Sequence, residues 1–264
     1  MGQRLADMLL AALELRPRAA VLEVGCASGV TTAELARRLD GESRVVALES
    51  SAQLLDLARG RARALPQGSA RVFFRNHVAG NRLPFAEETY DALMANVPLA
   101  ELPDRASMLA DFARVVRPGG QVLLGTTLRG TWRELLDIFA EVLRAAGRQE
   151  ALASLDVYQA MFPEPEEVAT LLERAGLVDV QVEVDEWQLV FRSAREFFYA
   201  PVIEHGPLDR WKEVVGRGEA MQETFLAIKE AIDTYFAGGA FAVTVVGGRF
   251  AARKVGGDHP AEGA

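Results

Sequence analysis

The nine residues VLEVGCASG, Val21–Gly29, constrain this chain more than any other stretch. Apolar and β-favouring residues with Glu23 among them form a short buried strand. Gly25 and Gly29 then let the backbone turn sharply into a helix beginning near Thr31. A loop of that kind presents backbone N–H groups and no bulky side chains, so a nucleotide-like ligand lies directly against the main chain. Thr31 followed by Glu34 has the spacing of a capping box that fixes the helix start. A strict G-x-G-x-x-G is absent, and glycine turns after strands also serve plain packing, so the loop needs company to indicate a site. Glu49 supplies it. It ends the second strand-like run, RVVALE, 24 positions after Gly25. That is near the spacing of roughly 20 at which an acid meets ribose hydroxyls in a doubly wound sheet.

Strand and helix patterns alternate through the first half. Leu5, Met8, Leu9, Ala12 and Leu13 recur at helical spacing over 3–15, and Pro17 ends that helix. Strands are expected at 44–49, 71–76, 90–95 ending at Asn96, and 121–127, with helices at 52–65 and 109–116. Phe73 and Phe74, adjacent and both apolar, read as a third strand buried on both faces, and Pro118-Gly119-Gly120 as the turn into strand five. This order is the pattern of a parallel α/β sheet with right-handed crossovers.

The second half is more helical. Thr131 and Glu134 read as the cap of a helix whose stripe includes Trp132, Leu136 and Phe139. A short helical piece surrounds 155–161, Pro165 opens a helix over 166–175, and Gly176 stops it. Val178, Val180, Val182 and Val184 alternate as strand six, Ser193 with Glu196 opens another helix, and a helix over 219–236 precedes a last strand at 241–254. A single domain over 1–255 is expected, with helical insertions near 131–162 and 193–238 and a disordered tail over 256–264.

Composition narrows the function. At 264 residues, half of them hydrophobic, the chain builds one sizeable core with an appended cap. A net charge of -8 argues against a broad phosphate-binding face, so no nucleic-acid partner is expected. Cys26 is the only cysteine, which excludes an internal disulfide, and with three histidines it offers no metal-ligand spacing. Apolar runs stop short of the roughly 18 to 20 residues of a membrane span, and MGQRLADMLL lacks the layout of a signal peptide. A cytoplasmic protein is expected, and a homodimer is compatible with the chain.

Together these residues resemble the class I S-adenosylmethionine-dependent methyltransferases, in particular the bacterial small-molecule group related to quinone and sterol methyltransferases. VLEVGCASG is similar to the family's first motif, Glu49 to its ribose-binding acid, LPFAEETYDAL at 83–93 to the approach to its fourth strand, and RVVRPGGQVLL at 114–124 to its following helix and fifth strand. The resemblance implies a doubly wound, mostly parallel seven-stranded α/β sheet, its last strand antiparallel, with helical insertions forming a cap. It implies S-adenosyl-L-methionine as cofactor. Gly25, Ala27 and Gly29 would line the methionine and ribose part, and Glu23 would orient the loop or reach the amino group through water. Glu49 with Ser50 would hold the ribose. His77, Val78 and Ala79 correspond to the adenine loop, and Asn96 and Val97 sit beside the methyl group. The partner implied is a small, apolar methyl acceptor.

Three departures stand out: Ala27 replaces the middle glycine, no acid precedes the LPF segment, and Ala100-Glu101 stand where many relatives carry histidine. Glu101 and His205 are the candidate acid–base residues, needed only if the acceptor atom must lose a proton. Asn96-Val97-Pro98-Leu99 has valine where the amino-group methyltransferase motif Asn-Pro-Pro-aromatic has its first proline, lacks the aromatic, and reads as a strand-end turn. Of the aromatics Trp132, Tyr158, Phe162, Phe197, Phe198, Tyr199 and Trp211, two or three are expected to meet ligand and the others to form core. The alternatives are a degenerate methyltransferase fold serving as a binding or scaffold protein, and a nicotinamide-dependent oxidoreductase, which also uses an acid after strand two.

Overall fold

The structure, a computed structural model, describes residues 2–14, 16–237 and 239–256; the expected disordered tail lies outside the described residues from position 257 on. The first elements are α1 (Gly2–Ala12), β1 (Ala20–Val24), α2 (Val30–Arg38), β2 (Arg44–Glu49), α3 (Ala52–Arg63), β3 (Arg71–Asn76), β4 (Tyr90–Asn96), α4 (Arg105–Val115) and β5 (Val116–Thr127). There follow α5 (Arg133–Ala145), α6 (Gln149–Ala160), α7 (Pro165–Arg174), β6 (Leu177–Phe191), α8 (Ala194–Phe198), α9 (Pro201–Glu204), α10 (Leu208–Val215), α11 (Glu219–Tyr235) and β7 (Phe241–Lys254). The strands form one seven-stranded sheet in the order β3-β2-β1-β4-β5-β7-β6. The pairs β1–β2, β1–β4, β2–β3 and β4–β5 are parallel, and the sheet as a whole is mostly parallel with some antiparallel pairing. No helix among the described residues is long and apolar enough to cross a membrane.

The chain divides into two compact units, and β6 and β7 contribute residues to each. The larger holds Gly2–Thr126, Glu164–Val184 and the chain from Gly247. Its β1 lies between β2 and β4 and is buried at every residue. Around it, Leu9, Leu10 and Leu13 of the N-terminal segment, Leu35 and Ala36 of α2, Val45, Met94 and Leu123 make a continuous apolar core. The smaller unit holds Thr127–Pro163 and Asp185–Val246. In it Trp132, Phe197 and Trp211 are fully or almost fully buried, with Phe197 stacked on Trp211 at a 6.0 Å centroid separation and Trp132 edge-on to Trp211 at 5.9 Å. Tyr158 and Phe162 are buried against each other, Phe198 is half-buried, and Tyr199 is 71% exposed. Most of the aromatics singled out from the sequence are therefore core of this unit.

Several local expectations are corrected. β3 is an edge strand, so it is not buried on both faces: Phe74 packs against Cys26, Ala47 and Leu55, whereas Phe73 is 53% exposed. At the other edge the alternating valines of β6 mark a strand without burying it, since Val178, Val182 and Val184 remain exposed. Thr31 does not cap α2. Gly29, with φ +79°, already turns the chain, so the helix starts at Val30 with no side-chain cap and Glu34 pairs with Arg37 and Arg38 instead. Thr131 and Glu134 do not cap α5 either. Trp132 enters that helix in the left-handed region at φ +67°. Thr131 exchanges hydrogen bonds with Val246 on β7, and Glu134 accepts from the N–H and hydroxyl of Thr244 on the same strand. α4 begins earlier than expected because Asp104 accepts from Ser107 N–H at its N-terminus. Pro118-Gly119-Gly120 is an excursion inside β5: Tyr90 pairs with Val116 and Ala92 with Gln121, so the fifth strand advances five residues while the fourth advances two.

Candidate cofactor-binding site

The site is built where β1 leaves the sheet. The N–H groups of Gly25 and Cys26 both donate to the carbonyl of Leu48 on β2, at 2.9 and 3.0 Å, so the loop is hung on the neighbouring strand before it turns. Gly25, Ala27 and Gly29 all take positive φ, at +79°, +46° and +79°. The three turns fold the loop back so that Gly29 N–H donates to the Cys26 carbonyl at 2.9 Å, and α2 starts immediately. Two of these turns require glycine for different reasons. A Cβ on Gly25 would sit 2.8 Å from the Asn96 carbonyl oxygen, at the end of β4, whereas one on Gly29 would sit 2.6 Å from Cβ of Ala58 on α3. Gly29 therefore serves the packing of α2 on α3 rather than the mouth of the loop.

Glu49 faces the loop. Its Oε2 accepts from Ala27 N–H at 3.0 Å, and Oε1 accepts from the N–H groups of Ser50 and Ser51 at 2.8 and 3.0 Å and from the Ser50 hydroxyl at 3.2 Å. A carboxylate has about four lone-pair sites, two on each oxygen, so Oε2 keeps one acceptor position.

Glu23 is the other acid of the site. It sits on β1 with 3% of its surface exposed; its Oε2 and the hydroxyl of buried Thr32 have no hydrogen-bond partner among the described residues. Burial pushes its carboxyl up to about 7, against a smaller opposing effect of the nearby Thr32 hydroxyl. Burial, followed by the charges of Glu23 and Glu49, pushes the Cys26 thiol up to about 12, and its side chain packs with Ala47 and Leu55.

Glu23, Gly25, Cys26, Ala27 and Asn96 line one open cavity at the end of β1. Gly2, Gln3 and Leu9 of α1 line it too, and Asn96 Nδ2 donates to the Gly2 carbonyl at 3.2 Å. Sequence reasoning missed these three: helical periodicity marks α1 as a packing helix and carries no sign that its first turn borders a cavity.

The remaining candidates are placed less directly. His77 N–H donates to the Glu49 carbonyl at 3.0 Å, and a ring nitrogen lies 3.2 Å from the Asn81 carbonyl, which ties the ring into its own loop. Val78 is exposed and Ala79 half-buried. Val97 is buried, its N–H on the Gly125 carbonyl, so it backs the Gly25 turn and does not line the cavity. Glu101 is exposed on a short 3-10 turn at Leu99–Glu101 of the larger unit. His205 is exposed at the end of α9 in the smaller unit, and neither lines the cavity.

A family model described as a methyltransferase domain matches residues 21–120, which span β1 to the glycines of β5. Residues 21–120 are a class I S-adenosylmethionine-dependent methyltransferase domain. The chain is 25% identical over 182 residues to a demethylmenaquinone methyltransferase of Bacillus cereus, covering 65% of this chain and 75% of that protein. Its fold is similar to that of the YcgJ protein from Bacillus subtilis, with TM-score 0.60, 17% identity and coverage of 97% and 100%. It is also similar to phosphoethanolamine N-methyltransferase 2 of Haemonchus contortus solved with S-adenosyl-L-methionine, with TM-score 0.56, 16% identity and coverage of 96% and 52%.

The residues of the methyltransferase domain fit its cofactor. An adenosyl amino acid asks for an acceptor at a diol, an acceptor at an amino group and bare main chain between them. Glu49 Oε2, Glu23 Oε2 and the Gly25–Ala27 backbone supply these, and the orphaned Glu23 oxygen is the strongest single indication, because buried carboxylate oxygens are ordinarily bonded.

Proposed function

We propose that this methyltransferase moves the sulfonium methyl of S-adenosylmethionine to a small, apolar molecule in the cytoplasm. The cofactor half of the reading is carried by one observation: a single loop presents its backbone between an aimed carboxylate, Glu49, and a buried unpartnered one, Glu23. The acceptor half is supported by the demethylmenaquinone methyltransferase among the relatives, whose name gives a quinone as its substrate.

When bound, S-adenosylmethionine supplies an activated methyl group. The work left to the chain is binding, alignment and exclusion of water. Glu49 and Ser50 hold the ribose, Glu23 takes the amino group, Gly25 and Ala27 give main-chain contact, and Asn96 borders the reacting end. His77, Val78 and Ala79 form the adenine side, with the His77 ring steadied on Asn81. Val97 and Gly29 fix the loop from behind. Glu101 and His205 carry no step in this reading.

Isothermal titration with S-adenosylhomocysteine tests the cofactor half, with micromolar binding expected. Incubation with S-adenosylmethionine labelled at the methyl group and a panel of quinones, phenols and prenylated acceptors tests the other, with label expected in the organic extract. Label confined to polar amines would sink the apolar acceptor while leaving the cofactor reading intact.

A further inference from the structure

The ladder between β2 and β3 has one covered face and one open one. Val45 packs into the main apolar core, and Ala47 and Phe74 pack with Leu55 of α3. The side chains that alternate with these, Arg44 and Val46 of β2 and Arg71, Phe73 and Arg75 of β3, therefore lie on the opposite face. The register sets Arg44 beside Arg71 and Val46 beside Phe73. All three arginines are exposed, Val46 is half-buried, and Phe73 is 53% exposed, as is Val78 two residues past the strand end.

These cations are unengaged. None of the three guanidinium groups makes an ion pair or a hydrogen bond among the described residues, and Arg75 lies instead 5.8 Å from the ring centroid of Phe85. The acids nearest to Arg44 in the chain are occupied elsewhere: Asp40 accepts from the N–H groups of Arg18 and Ser43, and Glu42 pairs with Arg18. From Leu57 to Ala86 the chain holds six arginines and no Asp or Glu, so the net charge of -8 is carried outside this stretch.

Unpaired arginines around an exposed phenylalanine complement a surface that is anionic outside and apolar beneath. The guanidinium groups stay with the headgroup phosphates while their stems and the ring enter the acyl boundary. We propose that this face, Arg44, Arg71 and Arg75 around Phe73, docks the larger unit on a bilayer surface that carries anionic lipids. A second copy of the chain is disfavoured, because two-fold pairing of β3 edges about Phe73 would set Arg71 against Arg75. Nucleic acid is disfavoured too, since one ring among three cations gives no row of stacking platforms. The proposal is independent of the cofactor and acceptor readings, as none of these four residues lines the cavity at the end of β1.

The experiment is co-sedimentation of the whole chain with vesicles of phosphatidylcholine alone and of phosphatidylcholine with about 30% phosphatidylglycerol, at roughly 0.05 M and 0.5 M salt. Binding is expected only with phosphatidylglycerol and at the lower salt. Each arginine near such a surface changes the partition about fivefold, so Arg71→Gln/Arg75→Gln is expected to weaken binding roughly 25-fold and Phe73→Ser about tenfold. Arg59→Gln/Arg63→Gln removes the same charge from α3, on the other side of the sheet, and retains binding within about threefold. Thermal denaturation identifies the variants that are folded. Absence of phosphatidylglycerol-dependent sedimentation at low salt overturns the proposal. Equal losses in the two double variants also overturn it, because they assign the effect to net charge and not to this face. Binding of a fluorescent oligothymidylate that Arg71→Gln/Arg75→Gln abolishes, with no binding to vesicles, overturns it in favour of nucleic acid. Should that double variant be unfolded, Phe73→Ser carries the test, and a partition equal to the parent's overturns the proposal.

Discussion

Ala27 donates its backbone N–H to Oε2 of Glu49 at 3.0 Å, which joins the loop leaving β1 to the acid that closes β2. With Oε1 held by the N–H groups of Ser50 and Ser51, the carboxylate is aimed before any ligand arrives. The ordering cost of that side chain is therefore met in folding rather than in binding. The same bond makes the loop and the acid a single unit, so damage to either is felt at both.

Glu49→Gln tests that unit. Every protein group facing Glu49 in this arrangement is a donor, so an amide must turn its NH₂ toward Ala27 N–H or toward Ser50 and Ser51. Hydrogen bonds to charged groups are worth roughly 1.5–3 kcal/mol, so affinity for S-adenosylhomocysteine is expected to fall about 10- to 100-fold, with a small change in Tm because the residue is half-buried. Calorimetry reads the first and thermal denaturation the second. A variant that binds within twofold of the parent removes Glu49 from the site.

Ala27→Gly addresses the departure from a glycine loop. Ala27 holds φ +46°, where a Cβ costs roughly 1–2 kcal/mol, while glycine costs roughly 0.4–1 kcal/mol through its freer unfolded chain. The net expectation is a Tm unchanged or raised by a few degrees, with cofactor affinity equal or tighter. Ala27→Val, β-branched in the same left-handed position, is expected to lower both. A clear Tm loss in Ala27→Gly would show that the Ala27 methyl is a packing contact.

How much of this was legible in the sequence differs between the two halves of the site. The strand–loop–helix at Val21–Arg38 and the acid at Glu49 are local patterns, in which glycine placement and hydrophobic periodicity act directly on the backbone, and β2 and β3 fall where the pattern puts them. Burial was less legible. Adjacent Phe73 and Phe74 read as a central strand, yet strand order alone decides that β3 is an edge. The Thr131 and Glu134 spacing is the same whether the pair caps a helix or reaches β7, and only the tertiary position of Thr244 and Val246 selects the second. Gly2 and Gln3 enter the cavity through the packing of α1, which no spacing records.

Gly29→Ala separates packing from binding. The added Cβ would stand 2.6 Å from Cβ of Ala58 at φ +79°, so overpacking and backbone strain act together. Each is worth roughly 1–3 kcal/mol, and a loss of about 2–5 kcal/mol in urea unfolding is expected. Ala58→Gly in the same chain relieves the steric part alone, so the double variant should recover part of the loss. Full additivity of the two single variants would show that α2 and α3 do not meet at Gly29.

The buried acid sets a pH dependence whose sign is fixed. In the folded chain Glu23 holds its proton up to about 7, whereas its ordinary value is 4.5. Between those values the native state binds one more proton than the unfolded chain, so stability falls as pH rises. The contribution is fully present below pH 4.5, lost progressively on the way to pH 7, and gone above it. One group titrating this way contributes about 1.4 kcal/mol per pH unit across that window, of order 3 kcal/mol in all. Glu23→Gln keeps the shape without the titration. In urea unfolding of the ligand-free protein at pH 5, 6, 7 and 8, the stability of the parent relative to Glu23→Gln is expected to decline from pH 5 to pH 7 and level off beyond it. The difference should shrink with saturating S-adenosylhomocysteine, which supplies the missing partner to the carboxylate. Parallel curves for the two proteins would mean that Glu23 is already ionised at pH 5, with a water or a backbone group bonded to the oxygen that has no partner among the described residues.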